Sequence, residues 1–325
     1  MRLVRHALMG TVVIEGTGAV LLSGFFVPRY GLLRGIWYGV FHSVSAFCNA
    51  GFDLMGPEES GSLSTLSDEP FVLMVHAALI AIGGLGFFVW EDLHNSRRWK
   101  KLSLYSRLVL GTTAVLIVSG WLYFMLAEWN NPQTLGGMSS LDKVFNSLFQ
   151  SVTLRTAGFA SFAQGEMQES SLVMSLLYML VGGSSGSTAG GIKTVTAVIM
   201  AAALWNGLRG RDAVTIRGRT IPQNQVRNAM TLTLTVILIL FVSAMAMSFL
   251  EEMGFLPLLF EAVSAIGTVG VSTGITSSLS IGSDIILIGL MYMGRVGMLS
   301  FSLAFMMGRQ RIEKVRYPTC DVMIG

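Results

Sequence analysis

The sequence predicts an all-α polytopic membrane protein made of three tandem units. Each unit is a spanning helix, a re-entrant pore helix and a second spanning helix, so the chain should hold about six transmembrane helices and three pore helices. Three observations carry this reading. Hydrophobic residues make up 52% of the chain and charged ones only 13%, with a mean hydropathy of +0.62, whereas an ordinary soluble domain holds about 25% charged residues. Six segments reach the ~20 apolar residues needed to cross ~30 Å of hydrocarbon at 1.5 Å per residue. A short motif also recurs three times, each time between two of those segments.

In chain order the spanning segments are 7–27, 71–90, 108–126, 172–205, 229–250 and 285–307. The first has spanning length and no small-residue cleavage site after it, so it is expected to stay as a helix. Three shorter apolar runs, 36–47, 141–154 and 256–266, fall in the first, third and fifth gaps. They are too short to cross. Irregular backbone at membrane depth is tolerated only inside protein or against a watery cavity, so the turn after each run should face an aqueous axis. The expected units are 1–93, 108–206 and 228–308, joined by loops at 94–107 and 207–227 and followed by a tail at 309–325.

Orientation follows from charge. Most of the 22 Lys and Arg residues fall in 1–6, 94–107, 207–227 and 308–325, while Arg29, Arg34 and Lys143 lie on the other side. The positive-inside rule puts both termini in the cytoplasm and the pore-helix loops outside. Those outer loops carry Asp53, Glu58, Glu59, Asp68, Glu69, Glu128, Asp142, Glu166, Glu169, Glu251, Glu252 and Asp284. Such an acidic vestibule would concentrate cations, although solvated loop charges explain the same pattern. The net charge of +3 reflects membrane topology and gives no nucleic-acid signal. Cys48 and Cys320 form neither a disulfide framework nor a zinc spacing.

The repeat reads FEAVSAIGTVGV at 260–271, FHSVSAFCNAGF at 41–52 and SVTLRTAGF at 151–159. Each copy is a helix-like run followed by a turn of small residues with glycine at one place, Gly51, Gly158 or Gly270. Glycine opens φ values closed to other residues, so successive carbonyls can point the same way. A ring of such oxygens replaces the water around a metal cation. The candidate lining is therefore Cys48, Asn49, Ala50 and Gly51, then Arg155, Thr156, Ala157 and Gly158, then Gly267, Thr268, Val269 and Gly270. A single such glycine would be an ordinary turn; three aligned copies argue otherwise.

The fourth segment is interrupted. Gly182, Gly183, Ser184, Ser185, Gly186, Ser187, Thr188, Ala189, Gly190 and Gly191 lie between apolar halves, and glycine costs about 1 kcal/mol against alanine in a helix. The stretch should be unwound. A phosphate-binding loop fails by one register, because Ile192 stands where its lysine belongs. Arg295, in the last segment, costs at least ~2.5–3.5 kcal/mol at mid-helix and so asks for a partner or a watery cavity. Lys193 could line the interrupted stretch or snorkel. His6, His42, His76 and His94 lie far apart in sequence with no acid at ligand spacing, and the first segment's Glu15 has no evident partner. The chain shows no triad, paired-carboxylate or metalloprotease pattern.

The turns CNAGF, RTAGF and GTVGV, together with GGSSGSTAGGIKT and MGRVGMLSF, resemble the K⁺-translocating subunits of the Trk, Ktr and HKT superfamily, and the RYP…DVMIG ending looks most like the Ktr-type subunit (KtrB). The resemblance covers essentially the whole chain. It implies four units around one pore, so the first unit is expected to be missing here, by truncation or a mis-set start. It also implies K⁺ uptake through backbone carbonyls at the three turns, with the glycine-rich stretch as an intramembrane gate and Arg295 as its latch. Gly270→Ser should then admit Na⁺. By the same resemblance the protein is expected to be a homodimer in the plasma (inner) membrane, docked on a cytoplasmic nucleotide-binding RCK ring (KtrA/TrkA-like). The basic loops around 97–101 and 209–219 would contact the ring and 317–325 would dock at the dimer interface. K⁺ is then the transported ion, with Na⁺ dependence open and nucleotide bound only by the partner. A secondary transporter of another solute, which also uses broken helices, and a non-conducting fragment are the alternatives. Three units running in the same direction favour a pore.

Overall fold

A computed structural model describes residues 2–55, 62–96, 98–211 and 213–296. The described residues are mostly helical: α1 (Arg2–Tyr30), α2 (Leu32–Phe47), α3 (Pro70–Leu85), α4 (Phe87–Asn95), α5 (Leu104–Glu128), α6 (Ser140–Thr153), α7 (Glu169–Leu180), α8 (Thr194–Leu208), α9 (Gln223–Leu250), α10 (Phe255–Gly267) and α11 (Ile281–Val296). A two-stranded hairpin, Thr215–Ile216 with Arg219–Thr220, sits in the loop between α8 and α9. The far end of the sixth segment, Gly297, Cys320 and the tail lie outside the described residues, as do Glu58, Glu59 and Arg97.

By length and apolarity α1, α5 and α9 can each cross a membrane alone. Their outer faces carry exposed apolar side chains such as Val20, Leu126 and Phe249, the surface that lipid or a further apolar element would cover. The three short helices α2, α6 and α10 are buried along one face, with Phe47, Phe149 and Phe260 fully enclosed. Leu22, Phe26, Leu73 and Ile80 of α1 and α3 form one core around α2 and α6, and α7, α9 and α11 form another around α10. Helix starts are set locally. Ser103 and Ser139 accept from the amides of Ser106 and Asp142 at the heads of α5 and α6, satisfying N–H groups that the helix itself leaves free.

One expected span is corrected. Segment 71–90 is not continuous: α3 and α4 meet at a 90° bend. Gly86 takes φ 86° there, which only glycine adopts at no cost. The bend strips the Gly84 and Leu85 carbonyls of helical partners, and the interrupted segment supplies new ones: the Ser184 amide donates to Gly84 at 3.1 Å and the Ser184 hydroxyl donates to Leu85. The two irregular stretches thus satisfy each other's backbone.

Candidate functional site

The site is built where α2, α6 and α10 end. Each helix carries a hydroxyl in its last turns that donates to the carbonyl just past its glycine: Ser45 to Phe52, Thr153 to Phe159 and Ser264 to Val271, all at 2.6 Å. Three residues earlier stands a second buried polar group, His42, Gln150 or Glu261. His42 Nε2 accepts from the Leu54 amide at 3.4 Å, and Gln150 pairs with Gln164. Glu261 accepts from Ser272, from the Thr273 amide and hydroxyl, and from Thr276, at 2.8–3.1 Å. Each of the three helices therefore holds the chain that leaves it by two struts one turn apart. The repeat carries this signal only in part: Ser45 and Ser264 align six residues before their glycines, whereas Thr153 stands one residue nearer to Gly158.

The three glycines meet. Gly51, Gly158 and Gly270 have φ of 75°, 90° and 95°. A Cβ on Gly51 would lie 2.5 Å from the Ala157 carbonyl oxygen, and one on Gly158 would lie 2.6 Å from the Val269 oxygen. The carbonyl before the glycine of one turn thus faces the glycine of the preceding turn, twice in the same sense. Repetition in one sense is what rotation about a common axis produces. The helices reach this point by their C-termini, the partly negative ends of their dipoles. Asn49, Thr156 and Thr268, two residues before each glycine, also adopt positive φ, 51°, 67° and 51°. For an L-residue this costs about 1–2 kcal/mol, and for β-branched threonine it is an outlier that the surroundings must enforce.

The interrupted segment lies against these turns. Its neck closes where the Gly182 amide donates to Ile192 at 3.0 Å and the Ile192 amide donates to Leu180 at 3.1 Å. The Thr188 hydroxyl lies 3.2 Å from the Phe47 carbonyl and 3.3 Å from Asn49 Oδ1, and Gly190 packs on the Thr268 side chain. Ser187 is turned inward on the Ser184 carbonyl at 2.7 Å, and Gly186 bonds the Phe87 amide. Gly183, Ser185 and Ala189 complete the loop, with the Ser185 carbonyl on the Tyr105 hydroxyl at 2.9 Å.

The charged residues take specific places. Arg295 Nη1 donates to the Thr188 carbonyl at 2.9 Å, and Lys193 Nζ donates to the Ala189 carbonyl at 2.7 Å, so the lysine closes the loop on itself. Both line a cavity of about 270 Å³ on the loop's other side. Arg155 is buried, with one guanidinium nitrogen 3.4 Å from the Gly182 carbonyl, and its own carbonyl accepts from Asn49 at 3.3 Å. Glu15 has a partner after all: the Cys48 thiol, 3.6 Å from its carboxylate.

The histidines and the loop acids also find partners. The histidines, distant in sequence, pair in space: His42 with His76 and His6 with His94, each with ring centroids 5.8 Å apart. Among the described residues no three His, Cys, Asp or Glu side chains gather as a metal site. Three of the loop acids have structural partners. Glu128 is fully buried on Asn131, Thr134 and the Gln168 amide, Glu69 pairs with Arg29, and Glu251 receives Ser280 and Ser283.

The profile of the TrkH family, described as cation transport protein, matches residues 9–314. The chain is 38% identical to the potassium/sodium uptake protein NtpJ of Enterococcus hirae, over 100% of this chain and 72% of that protein. It is 37% identical to the Ktr system potassium uptake protein B of Bacillus subtilis, over 99% of this chain and 71% of that protein. The crystal structure of the potassium transporter TrkH from Vibrio parahaemolyticus superposes with a TM-score of 0.71 at 19% identity, over 91% of this chain and 62% of that one.

Proposed function

The chain belongs to the TrkH family of cation transport proteins, and from that premise we propose that it takes up K⁺ through the three glycine turns. It is a multi-pass membrane transport protein and not an enzyme. The observation that carries the proposal is the repeated approach of one turn's carbonyl to the next turn's glycine, Ala157 to Gly51 and Val269 to Gly158. A K⁺ ion would exchange its hydration shell for carbonyls at 48–51, 155–158 and 267–270, a near-balanced trade that allows both entry and exit. The pore-helix C-termini add negative potential where the cation sits.

The 182–191 loop is the gate in this reading. It lies against the turns, and Arg295 holds its tip through the Thr188 carbonyl. The guanidinium also places positive charge in the path, a barrier to a passing cation. The basic segments make the α4–α5 and α8–α9 connections cytoplasmic. There the protein would meet a nucleotide-binding RCK ring as a homodimer, in keeping with the Ktr-system name of its Bacillus subtilis relative. Na⁺ enters as a second cation through the potassium/sodium name of the Enterococcus hirae relative.

Rb⁺ uptake by cells that lack their own K⁺ uptake systems and express this protein tests the reading. Uptake that gains Na⁺ permeation in Gly270→Ser is the expected result. Absence of Rb⁺ uptake, with the protein present in the membrane, would overturn it.

A further inference from the structure

Asn49 and Thr268 each make two contacts, one with a glycine of the second span of their own unit and one with the 182–191 loop, and at Thr156 a single glycine, Gly182, serves as both. Each packs on a glycine of the second span of its own unit: a Cβ on Gly83 would lie 3.1 Å from Asn49 Oδ1, one on Gly182 3.2 Å from Thr156 Cγ2, and one on Gly294 2.9 Å from Thr268 Cγ2. Each also bears on the 182–191 loop. Asn49 Oδ1 is 3.3 Å from the Thr188 hydroxyl, Thr156 meets Gly182 at the neck, and Thr268 is pressed by Gly190. A positive φ at a β-branched threonine persists only where its surroundings over-determine it, and asparagine, which tolerates that region better, is still positioned by the groups it touches. For turns one and three, part of those surroundings is the loop.

We infer that Asn49, Thr156 and Thr268 are specificity-determining residues that tie the filter's discrimination between K⁺ and Na⁺ to the position of the 182–191 loop. The tie is unequal. Gly182 is pinned by the Ile192 carbonyl at 3.0 Å and the Thr194 hydroxyl at 3.1 Å, so Thr156 keeps its support when the loop tip moves. Asn49 and Thr268 each lose one contact, at Thr188 and at Gly190, and keep the others, Gly83 and the Arg155 carbonyl for Asn49 and Gly294 for Thr268. Turns one and three then relax toward ordinary backbone conformations, and their carbonyls leave the arrangement set by the seated loop. Opening and selectivity therefore trade against each other: the further the tip stands from the filter, the faster and the less discriminating the passage. Because coupling between two sites is reciprocal, a cation held in the filter also favours the seated loop.

The inference rests on the transport reading above, and the experiment separates the two. Thr188→Ala removes the hydroxyl at Asn49 and leaves the Thr188 carbonyl that Arg295 holds, so it cuts the filter tie and spares the latch. The K⁺:Na⁺ uptake ratio is measured per amount of membrane protein for wild type, Thr188→Ala, Thr188→Ser, Asn49→Gly and the Thr188→Ala/Asn49→Gly double variant. The expected result is a fall in the ratio of about fivefold in Thr188→Ala, the size of one hydrogen bond. Thr188→Ser should keep the wild-type ratio, and the double variant should fall no further than Asn49→Gly alone. A Thr188→Ala variant that transports faster with an unchanged ratio would overturn the inference, as would a double variant whose loss is the product of the two single losses. Lack of K⁺ uptake by the wild type would instead remove the transport reading itself.

Discussion

Gly158 and Gly270 hold the same place in two copies of the repeat, with φ of 90° and 95°, yet they stand in different surroundings. Gly158 lies between its neighbours, against the Val269 carbonyl on one side and Gly51 on the other. Among the described residues, only the Cα of Gly158, at 3.4 Å, would come within 4 Å of a Cβ on Gly270. The supports differ too. The α10 turn is tied by a buried carboxylate, Glu261, and the α6 turn by a neutral amide, Gln150. Glycine is thus needed at both sites for its backbone, but only at Gly158 also for space.

That contrast can be broken by substitution. Gly158→Ser should have the largest effect, combining the left-handed cost of about 1–2 kcal/mol with overpacking of about 1–3 kcal/mol. We expect loss of both thermal stability in detergent and Rb⁺ uptake. Gly270→Ser carries the backbone cost alone and should keep most of the stability while discriminating less against Na⁺. Equal destabilisation of the two variants would show that space at Gly158 is not the difference. Next comes Glu261→Gln, which turns one acceptor into a donor facing hydroxyl and amide partners. A loss of about 2 kcal/mol is expected, read as a lower unfolding temperature, and Gln150→Ala should cost less.

Smaller still are the struts. Thr153→Ala removes one bond to the Phe159 carbonyl, worth about 1 kcal/mol, whereas Ser264→Ala removes its bond to the Val271 carbonyl and the one its hydroxyl accepts from the Gly270 amide at 3.2 Å. The Ser264 variant should lose more, and equal losses would show that the Gly270 amide bond adds nothing. The smallest effect lies at the C-terminal end of α9. Hydrogen bonds from the Ser280 and Ser283 hydroxyls and the Ser280 amide hold the Glu251 carboxyl below its ordinary range. Its folded-state pKa is depressed, so its contribution is present above the ordinary carboxylate range and is lost as pH falls through the folded value. Wild type should lose stability on acidification through that window by slightly more than Glu251→Gln does, as followed by thermal unfolding across an acid pH series.

The three short helical runs and the apolar segments were legible because their signals are local. Residues 36–47, 141–154 and 256–266 anticipate α2, α6 and α10 to within a few residues, and GGSSGSTAGG announced the break between α7 and α8. The bend at Gly86 had a signal as well, in Gly83, Gly84 and Gly86, but an apolar run of spanning length hid it. The struts His42, Gln150 and Glu261 share no side-chain chemistry, so a search by residue type could not align them. Glu15 and Cys48 are 33 residues apart, and nothing in either neighbourhood names the other.

The sequence by itself determined which segments are apolar, where glycine permits a backbone that other residues resist, and that one turn occurs three times. Each of these is a property of a few neighbouring residues, set by side-chain composition or by backbone sterics. Only the tertiary structure decided that the three turns touch, that Ser184 repairs a bend 99 residues away, and that the strained side chains of Asn49, Thr156 and Thr268 rest on the loop. Those contacts depend on how helices pack across long stretches of chain, and steric fit between distant backbones leaves no periodicity for a sequence to show.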